Sequence, residues 1–223
     1  MRVAVLQSNY IPWKGYFDLI HDVDLFVFYD DVQYTKNDWR NRNKVKTPTG
    51  TQWITIPTGC DLDRRICDVQ LPAGNWQTKH WKTLEQNYHN APHWKTYGPA
   101  IRSLYCAAWS GLSELNQRLI RELCQWMGIR TVLMDSRYFS PEGSRQDRLL
   151  MLLKACGATH YVSGPSGKNY IDPQAFEDAG ITLEWKRYDY PEYPQFFPPF
   201  DHRVSVLDLI FHTGPEAPRY VWG

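Results

Sequence analysis

"RVAVLQSNYIPWKGYFDLIHDVDLFVFYD", from Arg2 to Asp30, decides the fold. It opens on a β-branched apolar run, Arg2 to Gln7, that reads as a buried strand and stops at the polar residues Ser8 and Asn9. Pro12 fits the first turn of a helix running through "WKGYFDLIHDV", with Trp13, Tyr16, Phe17 and Ile20 at helical spacing. "DLFVFYD", Asp24 to Asp30, is a second and nearly continuous apolar strand. Strand, turn, helix, strand is the opening of a parallel α/β unit.

Further along, "KVKTPTG" and "TQWITIPT" meet at Thr49 and Gly50 as a hairpin, and "ICDVQL" suggests another strand. The pattern turns helical from Asn75, and "LSELNQRLIRELCQWMG" is the clearest amphipathic helix, closed by Gly128. "RTVLMDS" is a strand, "RQDRLLMLLKACG" a helix, "THYVSG" a strand, "DPQAFEDAG" a short helix and "ITLEWKRYDY" the last strand. The expected fold is therefore α/β: one domain over residues 1–223, with a parallel-sheet core carrying helices on both faces, a helical middle segment and a small hairpin insertion. In such sheets ligands sit beyond the carboxyl ends of the strands, which here means Gln7 to Trp13, Asp30 to Asn43, Asp135 to Arg137 and Ser163 to Asn169.

The chain has 25 basic and 24 acidic residues and a formal net charge of +1, so no field covers the whole surface to hold nucleic acid or an anionic membrane. Any anion site must be local. Ten Trp and 14 Tyr exceed ordinary usage, and such rings serve both cores and ligand sites. The start lacks the apolar run of a signal peptide and no segment approaches the roughly 20 apolar residues of a membrane span, which makes a cytoplasmic protein the expectation. Five cysteines, an odd number, suit reduced thiols better than a disulfide framework.

Four segments carry candidate chemistry. "QSNYIPWKGYF" follows the first strand, where a helix N-terminus can hold an anion, although no glycine-rich nucleotide fingerprint is present; a polar connector with Trp13 and Tyr16 in the core is the alternative. "DDVQYTKNDWRNRN", Asp30 to Asn43, packs three acids, three bases and four amides around Tyr34 and Trp39, more recognition groups than a merely solubilising loop needs; a solvated, ion-paired loop is the alternative. His80 is the better acid–base candidate among the helical histidines, with a packed role as the alternative; His89 and His93 are separated by Pro92, and no metal site is expected. "YVSGPSGKNYID" places Ser163, Ser166 and Lys168 after a strand, where the backbone can form an anion nest or a plain glycine turn.

"QSNYIPWKGYFDLI", "DDVQYTKNDWRNRNKV", "WITIP", "WQTKHWKTLEQNY", "YVSGPSGKNYID" and "SVLDLIFHTG", in this order, closely resemble the WbqC-like protein family over nearly the whole chain. The family pattern falls on Gln7, Asn9, Tyr10, Pro12, Trp13, Gly15 and Tyr16, then on Asp30, Asp31, Gln33, Tyr34, Lys36, Trp39, Arg42 and Asn43. It ends on His80, Tyr88, Ser163, Gly164, Tyr170, Asp172, Ser205, Asp208 and Gly214, and Ser8 stands where many relatives have proline. The resemblance implies an enzyme of surface-polysaccharide or natural-product biosynthesis that transfers an acyl or aminoacyl group to an amine such as an amino sugar, from a carrier-protein thioester. No bound cofactor is implied beyond a phosphopantetheine-linked carrier as substrate.

On that reading His80 or Asp30 is the general base, because the attacking amine must lose a proton. Arg42, Lys36 and Asn43 hold an anionic part of the substrate. Backbone N–H groups of the 163–168 loop or the first helix stabilise the oxyanion, and Gln7, Asn9, Tyr10, Trp13, Tyr16, Asp31, Gln33, Trp39, Ser163, Ser166, Lys168 and Tyr170 complete the binding set. Two other readings remain: an ATP-using ligase or nucleotidyltransferase, and a sugar-nucleotide or glycan binding module without turnover.

Overall fold

The computed structural model describes residues 1–143 and 145–223. Its strands are β1 (Arg2–Leu6), β2 (Leu25–Phe28), β3 (Arg42–Thr47), β4 (Gly50–Thr55), β5 (Val132–Asp135), β6 (His160–Ser163) and β7 (Thr182–Trp185). Five of them form one parallel sheet in the order β5-β2-β1-β6-β7, while β3 and β4 pair separately as the antiparallel hairpin. β1 is central, with Val3 opposite Leu25 on one side and Tyr161 on the other.

The helices are α1 (Lys14–His21), α2 (Trp76–Tyr88), α3 (Trp94–Cys106), α4 (Leu112–Trp126), α5 (Arg145–Ala155), α6 (Pro173–Asp178) and α7 (Val206–Thr213). Side chains alternate across a strand, so β1 and β2 feed two cores. Ala4, Phe26 and Phe28 pack with α1 and α4 on one face, whereas Val3, Val5, Leu25 and Val27 meet Leu149, Leu152, Leu153 and Phe176 of α5 and α6 on the other. The expected α/β architecture with helices on both faces is what forms.

Several local expectations change. "ICDVQL" is no strand: Ile66–Asp68 is a 3₁₀ turn. The Ile66 and Cys67 amides donate to the Val32 and Asp30 carbonyls, which leaves this segment alongside the loop after β2 and outside the sheet. Pro12 precedes the α1 cap, Trp13, and so lies outside the first turn. β7 stops at Trp185, five residues before the end of its apolar pattern. α3 forms despite Pro99, held by the buried Ile101, Leu104 and Tyr105 and by Trp94, which stacks on Trp81 with ring centroids 5.1 Å apart. α7 is buried on every side, its polar residues Asp208, His212 and Thr213 included.

Two buried polar networks tie the helical layer together. Asp208, in the middle of α7, is completely buried and accepts from the Tyr88 hydroxyl at 2.8 Å, the Tyr193 hydroxyl at 2.7 Å and Gln195 Nε2 at 2.9 Å. Burial raises its pKa above the usual carboxylate value. The second network starts at Tyr105, whose hydroxyl meets that of Tyr10; Tyr10 meets His80 Nδ1 at 2.8 Å, and His80 Nε2 meets the Thr55 carbonyl at 3.2 Å. A carbonyl only accepts, so Nε2 carries the hydrogen and Nδ1 accepts from Tyr10. The chain runs from α3 through the first turn and α2 to the hairpin.

Truncation of Asp208 to Ala strands two hydroxyls and an amide inside the core, so urea unfolding of Asp208→Ala should show a loss of about 3 kcal/mol or more. A loss under about 1 kcal/mol would mean that this network does not hold α7. For His80, burial pushes the imidazole down from 6.5 to about 4. The unfolded chain therefore binds a proton that the native state refuses, and the stability this group contributes is complete above pH 6.5 and lost as pH falls toward 4. Between pH 7 and 5 the native protein should lose about 2 kcal/mol more than His80→Gln, and parallel stability profiles would refute the assignment.

Candidate functional site at the strand-order switch

Read along the sheet, the strands appear in the sequence order third, second, first, fourth, fifth. The chain builds outward from β1 in one direction, then returns to build on its other side, and the connecting helices change face. Between the carboxyl ends of β1 and β6 this leaves a crevice, the usual ligand position in open parallel sheets. Here it is a cavity of about 690 Å³. Val5, Leu149, Tyr161 and Ile171 give it an apolar floor, and Gln7, Tyr29, Arg145, Gln146, Tyr170 and Asp172 supply its polar groups.

Each polar group stands there for a local reason. Gln7 continues the alternation of Val3 and Val5 one step past the end of β1, toward the α5 side. Asp172 opens α6: its Oδ1 accepts the Gln174 amide at 3.1 Å, and its own amide donates to Gln146 Oε1 at 2.7 Å, which fixes the start of α6 against the start of α5. Among the described residues Asp172 Oδ2 has no hydrogen-bond donor. Tyr170, 71% exposed, stands over the opening. Behind the cavity Asp31 is clamped by Arg148 Nη2 and Ser136 Oγ, both at 2.5 Å, and the Arg148 guanidinium lies 5.1 Å from the centre of the Tyr29 ring. Burial raises the Tyr29 hydroxyl above its ordinary pKa, which keeps it a neutral phenol.

The residues expected at a site disperse into four places. Gln7 and Tyr170 line the switch cavity; Asp31 stands behind it, and Ser163 ends the adjoining strand. Trp13, Ser166 and Lys168 belong to a second region beyond β6 and β7. Lys168 lines a separate cavity of about 570 Å³ there with Trp185 and Tyr188; Ser166 shares its turn, and Trp13 meets Tyr188 edge-on at 5.1 Å. Gln33, Lys36, Trp39 and Arg42 lie on the hairpin side. Gln33 bridges to Arg65, Lys36 Nζ contacts Cys60 Sγ at 3.1 Å, and Trp39 and the Arg42 guanidinium both pack on Trp53, Arg42 at 4.2 Å from its ring centre.

The fourth group is internal. Asn9 accepts from Arg40; Tyr16 donates to the Gln7 carbonyl at 3.0 Å; Asn43 Nδ2 donates to the Tyr10 and Ile11 carbonyls at 3.1 and 2.8 Å. Asp30 is wholly buried, with Oδ1 accepting the Ser8 amide at 2.8 Å and Oδ2 accepting from Ser113 Oγ at 2.5 Å and Gln117 Nε2 at 3.1 Å. Tyr10 and His80 belong to the buried chain described above. Neither Asp30 nor His80 lines the switch cavity.

The geometry separates one expected anion-binding group and covers the start of another. Arg42 and Asn43 are neighbours on β3 and point to opposite faces, so Lys36, Arg42 and Asn43 do not converge as one clamp. The start of α1 is closed: Lys14 is 2% exposed with Nζ given to the Pro191 and Tyr220 carbonyls, and the Trp13 ring lies over Gly15. Tyr29, Arg145, Gln146 and Tyr161 were not singled out in the sequence. The Asp-Pro start of α6 was a readable signal for Asp172, but that α5 and α6 begin at the same crevice follows only from the crossover.

Among the described residues, no cluster of three or more His, Cys, Asp or Glu is placed to hold a metal ion, and no helix is long and apolar enough to cross a membrane. No solved structure matches the chain. A protein of Mycobacterium tuberculosis (strain ATCC 25618 / H37Rv) named as uncharacterized, Rv1507c, is 42% identical over 224 residues, which cover 99% of this chain and 97% of that one. The WbqC-like protein family matches residues 7–220, beginning at the cavity residue Gln7 and ending within the last 3₁₀ turn, Gly214–Tyr220. By the extent of that match, the chain belongs to the WbqC-like protein family.

Proposed function

We propose that the protein transfers an acyl or aminoacyl group to a primary amine, and that the acceptor binds in the switch cavity with its nitrogen at Asp172. The observation that carries this reading is the composition of that cavity: one carboxylate with a free oxygen, set among amides and phenols over an apolar floor. A carboxylate of this kind attracts an ammonium group and receives the proton shed as nitrogen attacks. Gln7, Gln146 and the Tyr29 and Tyr170 hydroxyls suit the hydroxyls of a small polar acceptor such as an amino sugar. Arg145 is the cation at the same opening, available to the developing oxyanion.

Chemically the step is aminolysis. An ammonium acceptor first gives one proton to Asp172, which releases it to solvent; the free amine then adds to the thioester carbonyl, the carbon–sulfur bond breaks, and the nitrogen's second proton goes to the departing thiolate, leaving an amide and a free thiol. None of the five cysteines lines this cavity, which favours direct attack over a cysteinyl intermediate. A carrier-protein thioester is the donor this reading requires. An ATP-using ligase differs in needing nucleotide for product, and a binding module in giving none.

Asn is as good a helix cap as Asp, so Asp172→Asn should fold normally while losing the charge. Intact-mass analysis with a panel of acyl and aminoacyl carrier-protein thioesters and amine acceptors should show amide product without ATP. Asp172→Asn should lower the acceptor kcat/KM by about a hundredfold or more. Product that requires ATP would move the assignment to a ligase, and full activity in Asp172→Asn would remove the carboxylate from the mechanism.

A further inference from the structure

The second cavity, of about 570 Å³, is lined by Pro165, Lys168, Trp185, Lys186, Arg187 and Tyr188, with three cations and no carboxylate. Lys186 is already neutralised, its Nζ lying 2.9 Å from Asp18 and 3.2 Å from Asp22. Lys168 and Arg187 are different. Both are exposed, and among the described residues neither has a carboxylate within ion-pair distance; the Lys168 ammonium instead lies 5.7 Å from the centre of the Trp185 ring. The wall is aromatic, with Trp185 and Tyr188 half-buried and Trp13 edge-on against Tyr188.

Another cation-rich cavity, of about 510 Å³, serves as a comparison. It holds Arg118, Arg121 and Arg137, but Glu114 shares its lining, Arg118 pairs with Glu122 at 2.9 Å, and Arg137 forks onto Asp135 with two contacts of 2.9 Å. Those guanidiniums are mostly spent. In the Lys168–Arg187 cavity two unpaired, exposed cations stand beside flat rings, which is the combination that phosphate on a planar heterocycle satisfies: the charges take the phosphate oxygens and the rings take the base.

We propose that this cavity is a binding site for a nucleoside diphosphate, its phosphates at Lys168 and Arg187 and its base against Trp185 and Tyr188. The site is distinct from the switch cavity and lies on the other flank of the Pro165–Asn169 turn, so it stands whether or not that cavity carries aminolysis. Its charge is local and therefore compatible with a chain whose net charge is only +1.

The test is calorimetric titration of the full chain with adenosine 5′-diphosphate, adenosine and inorganic pyrophosphate, alongside Lys168→Glu/Arg187→Glu and the control Arg118→Glu. Both cavity residues are exposed and unpaired, so circular dichroism of the double variant should match the wild type. The diphosphate should bind and weaken as salt rises, and the double variant should lose at least about tenfold in affinity while Arg118→Glu does not. Adenosine and pyrophosphate should each bind more weakly than the joined molecule. No diphosphate binding up to about 5 mM, or binding indifferent to the double variant, overturns the site. Pyrophosphate binding as tightly as the diphosphate overturns the role given to the rings.

Discussion

The structure depends on one constraint: crossovers between parallel strands are right-handed, so a sheet that grows first to one side of β1 and then to the other must place its connecting helices on opposite faces. α1 and α4 take one face, α5 and α6 the other. A cavity is then left between the carboxyl ends of β1 and β6. The crevice is thus a consequence of strand order, and sequence decides only what lines it. Gln7 and Tyr29 arrive as the residues just past β1 and β2, and Asp172 arrives because α6 needs a cap at that spot.

Asp30 keeps that frame in register. A carboxylate with no exposure to water is tolerable only when its oxygens are filled, and here an amide from the first turn, a hydroxyl and an amide from α4 fill them. Gln117 extends the contact to Asp135 at 2.8 Å, so the ends of β1, β2 and β5 are linked through one side chain of α4. Asn43 does similar service for the hairpin, accepting nothing from the first turn but donating to two of its carbonyls, where Ile11 adopts a positive φ of 37°. Within Asp30 to Asn43, the buried Asp30, Tyr34, Asn41 and Asn43 are therefore internal scaffolding, while Gln33, Lys36 and Trp39 stay exposed.

This explains what could be read from the sequence and what could not. β1, α1 and β2 were legible because apolar runs of the right period sit between polar breaks, and the same holds for α4, α5 and β6. α7 was not, since its polar residues Asp208 and His212 are buried with its apolar ones, which no local pattern announces, and α3 was hidden by Pro99. At the site, the carboxyl-end rule selected Gln7 and the loop after β6. It could not tell Asp30, turned into the core, from Asp172, turned into the cavity, because both are acids just beyond a strand or at a helix start. His80 was attractive for its chemistry alone; its burial against Tyr10 and Thr55 is a tertiary fact with no local signature.

The loop after β6 shows how little chain separates the two cavities. Within Pro165–Asn169, Gly167 is buried, and a Cβ there would lie 2.5 Å from Ser163 Oγ, 2.7 Å from the Trp185 ring and 3.0 Å from Ile171. Ile171 is floor to the switch cavity and Trp185 is wall to the other. A larger residue would have to push one or both outward, since real Cβ contacts are not that short. The absence of a side chain at this position lets a single turn, closed by the Gly167 amide on the Gly164 carbonyl at 3.0 Å, serve as the partition between them. A substrate that used both cavities would have to reach around that turn. Lys168 and Asp172 stand only four positions apart, so one short segment carries a cation of one cavity at one end and the carboxylate of the other at its other end.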